Sequence, residues 1–176
     1  MTTFVAGLDE AGRGPALGSL CVGCVILEKK NLPLLEEIGV DDSKRFSAKK
    51  RVSLAKKIRE IAKSWKVLEI TPAMLNSLHN EGNTLNKIEE DHFAQLINEM
   101  TPRPHEIFLD AADVKEARFG QSIGKLLSFS PEKIVSKHKG DAIFRIVGAA
   151  SILAKTERDK IIDGYKVEYG NVGSGY

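Results

Sequence analysis

Two cysteines in 176 residues are too few for a disulfide framework, and Cys21 and Cys24 form a lone C-x-x-C with no second pair to complete a zinc site. On a strand their odd separation sends the side chains to opposite faces, which makes them small core residues and not joint ligands. A long apolar run is also missing: the longest, Ala16 to Leu27, is too short and too rich in glycine and serine to span a bilayer. The N-terminal Met-Thr-Thr-Phe lacks the basic region and apolar core of a secretory leader. Charge is nearly balanced at a net +2, so nothing global announces a nucleic-acid partner. These absences predict a cytoplasmic protein without a membrane anchor, monomeric by default. An apolar content of 42% supports one core, hence a single domain over residues 1–176, and no internal repeat argues otherwise.

The most informative stretch that is present runs from Gly7 to Pro15, Gly-Leu-Asp-Glu-Ala-Gly-Arg-Gly-Pro. Thr3 to Asp9 reads as a short strand apolar on both faces, and a buried strand that ends in Asp9-Glu10 calls for paired or cation-bound carboxylates, unless the strand simply surfaces there. Gly12-Arg13-Gly14-Pro15 follows, with two residues free to take positive φ around a planar guanidinium. Such a turn lets backbone N–H groups approach a phosphate or sugar; it also serves as a tight hairpin into the next strand. The glycines miss the G-x-G-x-x-G spacing and lead into a strand, which excludes a dinucleotide fold.

Further along, the periodicity predicts strands at Leu17–Leu27, Trp65–Ile70, Glu106–Leu109 and Lys133–Ser136. Helices are predicted from Ser47, with Val52, Ala55, Ile58, Ala62 and Trp65 at helical spacing, and from Thr71-Pro72 to about Leu78. Others are expected at Leu85–Met100, Val114–Leu127 and from about Ile143 through Lys160. Between Lys44 and Lys66 ten basic residues face one acid, Glu60. That stripe is either a solvated helix face or a surface that tracks a phosphate backbone. Three strands followed by alternating helices and strands fit one mixed α/β sheet flanked by helices.

Asp9, Glu10, Asp110 and Asp141 share one property: each stands at the end of an apolar strand or the start of a helix, where open sheets place their sites. Four carboxylates gathered together repel and raise one another's pKa values, which two Mg²⁺ or Mn²⁺ ions would relieve while clamping a phosphoryl displacement. Taken singly, Asp141 could be only an N-cap and Asp110 only a surface residue. Neighbours on a regular strand point to opposite faces, so a shared role for Asp9 and Glu10 predicts a bend or bulge near Gly12. A lone His138 in a loop more often has a structural role than that of a general base.

Several blocks together resemble one family, the type 2 ribonucleases H, or ribonuclease HII, and most closely its archaeal branch. They are Gly7 to Pro15, Asp42-Ser43-Lys44 with Lys50-Arg51 behind it, Asp110, His138-Lys139-Gly140-Asp141, Ala149 to Lys155, and the closing Gly173-Ser174-Gly175-Tyr176. The resemblance implies a ribonuclease H-like mixed five-stranded sheet flanked by helices. It implies an endonuclease that cuts the RNA strand of RNA/DNA hybrids and the 5′ side of ribonucleotides embedded in duplex DNA, leaving 3′-hydroxyl and 5′-phosphate ends. Asp9, Glu10, Asp110 and Asp141 then match the catalytic, metal-binding carboxylates for two Mg²⁺ or Mn²⁺ ions. Gly12, Arg13 and Gly14 match the motif that meets the ribonucleotide, Tyr176 the tyrosine that packs on the next sugar, and Lys44, Ser151 and Lys155 fall in blocks lining the substrate groove. Family members usually continue past the final tyrosine into a basic helical segment, so the expectation is a catalytic domain lacking that extension, and with it the docking peptide for a sliding clamp. The rival readings are a non-catalytic nucleic-acid binder that works through its basic helix, and a DNA nuclease of the same architecture.

Overall fold

The computed structural model describes residues 2–15, 17–40 and 46–173. The expected substrate residues Lys44 and Tyr176 lie outside the described residues. The strands are β1 (Phe4–Ala11), β2 (Leu20–Glu28), β3 (Ser64–Ile70), β4 (Glu106–Asp110) and β5 (Lys133–Lys137). The helices are α1 (Pro33–Glu37), α2 (Ala48–Ile61), α3 (Pro72–Asn80), α4 (Leu85–Glu99), α5 (Glu116–Leu126), α6 (Gly140–Ile143) and α7 (Arg145–Tyr169). The five strands make one mixed sheet in the order β3-β2-β1-β4-β5, antiparallel between β3, β2 and β1 and parallel from β1 through β4 to β5.

Alternation along the strands builds two cores. Ala6 and Leu8 of β1, with Val22, Cys24 and Ile26 of β2, face Ile88, Phe93, Leu96 and Ile97 of α4 and Phe119 and Ile123 of α5. On the other face Val5, Val25 and Leu27 meet Leu54, Ala55 and Ile58 of α2 and the apolar residues of α7. Cys24 lies in the first core and Cys21 among Ala11 and Ala154 on the opposite side, both as free buried thiols, as their spacing predicts.

Three helices start on side chains that accept a backbone N–H of the first turn: Ser47 caps α2, Thr71 caps α3 and Thr84 caps α4. The predicted α2 stripe is partly wrong. Val52 is 55% exposed, and Trp65 belongs to β3, where the Arg59 guanidinium lies 4.7 Å from its ring centroid. Leu54, two residues from Val52, takes the buried position instead. Val114 precedes α5 and is exposed, and α7 runs nine residues past Lys160, to Tyr169.

α7 sets the position of everything around β1. Its residues Ile146, Ala150, Ala154, Arg158 and Ile162 recur every four positions and form one ridge. A Cβ on Gly7 would collide with the Ile146 carbonyl, and one on Gly23 would stand 2.5 Å from the Ala150 carbonyl oxygen. The helix therefore rests directly on the backbone of β1 and β2, at a distance only glycine permits.

Candidate active site

The same register that pairs Leu8 with Leu109 brings Asp9 level with Asp110 one step later, at the ends of two parallel neighbours. Asp110 is held there by the backbone N–H of Gly140, which donates to its Oδ1 at 2.8 Å. A side chain on residue 140 would lie 2.8 Å from the Leu109 carbonyl oxygen, so the glycine lets α6 sit against the end of β4. Asp141 follows at once, buried. Asp9, Glu10, Asp110 and Asp141 thus line one pocket of about 350 Å³, together with Gly12, Arg13, Gly14 and Lys155.

The expected bulge is absent. β1 pairs residue for residue with β2 from Phe4 opposite Glu28 to Ala11 opposite Cys21. Asp9 and Glu10 do point to opposite faces, and the pocket reaches both because it lies across the end of the sheet. Asp9 faces α7, where Ser151 donates to it and Lys155 donates in turn to Ser151 Oγ at 2.7 Å. Its Oδ1 accepts the backbone N–H of Glu10 at 2.8 Å. Glu10 faces α4, near Glu89 and Arg13. Burial raises the Asp9 carboxyl well above its ordinary range, with Glu10 and Asp110 adding to it and Lys155 and Ser151 opposing. Burial, then Glu89 and Asp110, push Glu10 up to about 8. Lys155 Nζ stands 3.8 Å from Asp141 Oδ2. Ser151, expected in the substrate groove, is fully buried behind Asp9.

The Arg13 turn is held from two sides. Gly12 takes φ +101°, where a Cβ would strike the Ser19 carbonyl and lie 2.8 Å from Arg158 Nε. Arg158, fully buried on the α7 ridge, donates from Nη2 to the Leu17 carbonyl at 2.9 Å. From α4, Glu89 accepts a hydrogen bond from Arg13 Nη1 and Asn86 Oδ1 accepts one from Nη2 at 2.6 Å. Gly14 is exposed, with nothing within 4 Å of where its Cβ would be. The strands are not joined by a tight hairpin, since β1 ends at Ala11 and β2 starts at Leu20. His138 has a structural part: its Nε2 lies 2.7 Å from the Asp113 carbonyl and its backbone N–H donates to Glu116 Oε1.

Glu89, Asn86 and Arg158 escaped the sequence reading. Glu89 carried a signal, because it falls on the buried stripe of α4 between Ile88 and His92 and is fully buried there. A carboxylate at such a position needs a partner.

The donor set is all hard oxygen, which suits a divalent cation such as Mg²⁺ or Mn²⁺, and Glu10 Oε2 is buried with no hydrogen-bond partner among the described residues. The acids share a pocket without forming a cage: among the described residues, no group of three or more His, Cys, Asp and Glu side chains is placed to hold a metal ion.

The family model for ribonuclease HII matches residues 6–176. The chain belongs to the ribonuclease HII family. Ribonuclease HII of Thermococcus kodakarensis is 44% identical over 172 residues, 98% of this chain and 74% of the relative, and that of Methanococcoides burtonii is 40% identical over 98% and 82%. The structure of ribonuclease H2 from Pyrococcus horikoshii superposes with a TM-score of 0.92 at 38% identity, over 99% of this chain and 81% of that one. The PCNA:RNase HII complex from Archaeoglobus fulgidus gives 0.88 at 34%, over 98% and 80%. A Bst RNase HIII solved with Mn²⁺ shares the fold, with a TM-score of 0.79 at 20% identity. The chain is accordingly a ribonuclease H type 2 nuclease, an endoribonuclease of RNA/DNA hybrids, and the non-catalytic alternative is set aside; membership of the family implies dependence on a divalent metal. Among the described residues no helix is long and apolar enough to cross a membrane.

Proposed function

We propose that this ribonuclease HII cuts on the 5′ side of single ribonucleotides in duplex DNA as well as within RNA/DNA hybrids, leaving 3′-hydroxyl and 5′-phosphate ends. The observation that carries the reading is the convergence of Asp9, Glu10, Asp110 and Asp141 on one pocket beside Arg13 and Lys155. Two divalent cations held by these four carboxylates would supply the activated water and the charge clamp of an in-line phosphodiester hydrolysis. The chain's own residues prepare that pocket. Ser151 and the Glu10 backbone N–H orient the Asp9 carboxylate, and the Gly140 N–H orients Asp110. Lys155 adds a fixed positive charge at the Asp141 edge. Arg13, on its glycine-flanked turn, meets the ribonucleotide, whose 2′-hydroxyl is what distinguishes it from DNA. Gly14 leaves open room for a sugar-phosphate backbone.

The deciding experiment presents a DNA duplex with one embedded ribonucleotide, an RNA/DNA hybrid and an all-DNA duplex, with Mg²⁺ or Mn²⁺. Scission 5′ to the ribonucleotide and within the RNA strand is expected, with the all-DNA duplex intact. Asp9→Asn and Asp110→Asn should each lower kcat at least ~10³-fold while unfolding at or above the wild-type temperature, since each removes a charge from a crowded pocket. An uncut single-ribonucleotide strand at high enzyme concentration refutes the substrate, and turnover in both variants refutes the ligand assignment. A sliding clamp is proposed as a partner because the A. fulgidus relative was solved with PCNA.

A further inference from the structure

We propose that Glu89, assisted by Asn86, is the positioning residue that makes Arg13 a reader of the ribonucleotide instead of a general phosphate binder. The inference rests on the reading that Arg13 meets the ribonucleotide. Glu89 is fully buried on α4, while the Arg13 side chain it pairs with is 31% exposed and lines the acidic pocket. Asn86 and Glu89 lie three residues apart on one helix face and take the two terminal nitrogens of the guanidinium separately. Two acceptors on two nitrogens fix the plane of the group beside the pocket it lines. An unheld arginine would have to lose that rotamer freedom when substrate binds.

Charge makes the second part of the argument. A solitary arginine attracts every phosphate, whether the strand is RNA or DNA. Paired with a buried carboxylate, the Arg13–Glu89 unit is close to neutral, so what it offers is directional hydrogen bonding and not net positive charge. Burial pushes the Glu89 carboxyl up to about 7, and the charge and hydrogen bond of Arg13 pull against that rise and so favour the paired form. Glu89 Oε1 has no hydrogen-bond partner among the described residues, which leaves Arg13 as the contact that justifies a carboxylate here.

The test measures binding by fluorescence anisotropy in Ca²⁺, for a DNA duplex with one ribonucleotide and for its all-DNA twin. The quantity of interest is the preference, Kd of the all-DNA duplex over Kd of the ribonucleotide duplex. Glu89→Gln should cut the preference about tenfold, the scale of one charged hydrogen bond, while binding all-DNA at least as tightly as wild type. A merely structural defect would weaken both duplexes together. Asn86→Ala, at a half-buried position, removes one acceptor without disturbing the core and should cut the preference in the same direction. Arg13→Ala should abolish the preference, and adding Glu89→Gln to it should change nothing more, because Glu89 acts through Arg13. If Arg13→Ala abolishes the preference and both α4 variants keep it, or if the double variant loses more than Arg13→Ala, the role of Glu89 is overturned and that of Arg13 stands. If Arg13→Ala itself keeps the preference, the substrate role of Arg13 fails and Glu89 falls with it.

Discussion

Glu10 lies on the α4 side of the sheet, where burial, Glu89 and Asp110 push its carboxyl up to about 8, against an ordinary 4.5. A folded-state value above the unfolded one means that the native state holds this proton more tightly. The stability it contributes is full below about 4.5 and is lost as pH rises through about 8. Asp9 shifts in the same direction. In EDTA the melting temperature should therefore fall between pH 5 and pH 8.5, by roughly 5 °C or more. Mn²⁺ held by these carboxylates, as proposed, would compete with those protons, so its stabilising shift should grow over the same interval. Thermal scans with and without Mn²⁺ across that range check both slopes, and a melting temperature in EDTA that rises with pH would overturn the assignment.

α7 is the element on which the site's geometry depends. Its ridge meets Gly7 and Gly23 through bare backbone, and the same helix carries Ser151 and Lys155 to Asp9 and Arg158 to the Arg13 turn. Gly7→Ala should therefore cost about 2–4 kcal/mol in urea unfolding, since the methyl can enter only if helix and strand separate. It should also slow cleavage although no acid has changed. Much at this scale was legible in the chain. Strands that run into acids located Asp9 and Asp110, and Ser47 and Thr71 announce their helices by offering a side-chain acceptor at the right offset. The last turns of α7 were not, because Val167 and Tyr169 are exposed and supply no buried stripe from which periodicity can be read. Arg158 stands among charges in Glu-Arg-Asp-Lys and carries no sign of burial in the chain; the packing of α7 against Gly12, Leu17 and Gly18 buries it.

Seen whole, the molecule keeps its near-neutral net charge while sorting it by place. In the stripe between Lys44 and Lys66, Arg51 pairs with Asp159, Arg59 covers Trp65 and Lys66 pairs with Glu99, while Lys49, Lys50, Lys56, Lys57 and Lys63 stand exposed. Replacing Lys56 and Lys57 by Gln should lower the slope of log affinity against log salt by about 1–2 for a hybrid duplex. An unchanged slope removes α2 from the nucleic-acid surface.

The placement of Asp9 and Glu10 on opposite faces of one strand has a mechanical corollary. Near the pocket the helices on the two sides of the sheet meet through β1 and through the Arg13 turn, which α4 and α7 hold from opposite sides. A dication gripping both side chains would act as a rivet through the two layers, so that loosening either one means giving up the ion. Metal capture and the rigidity of the entire sandwich then become a single property.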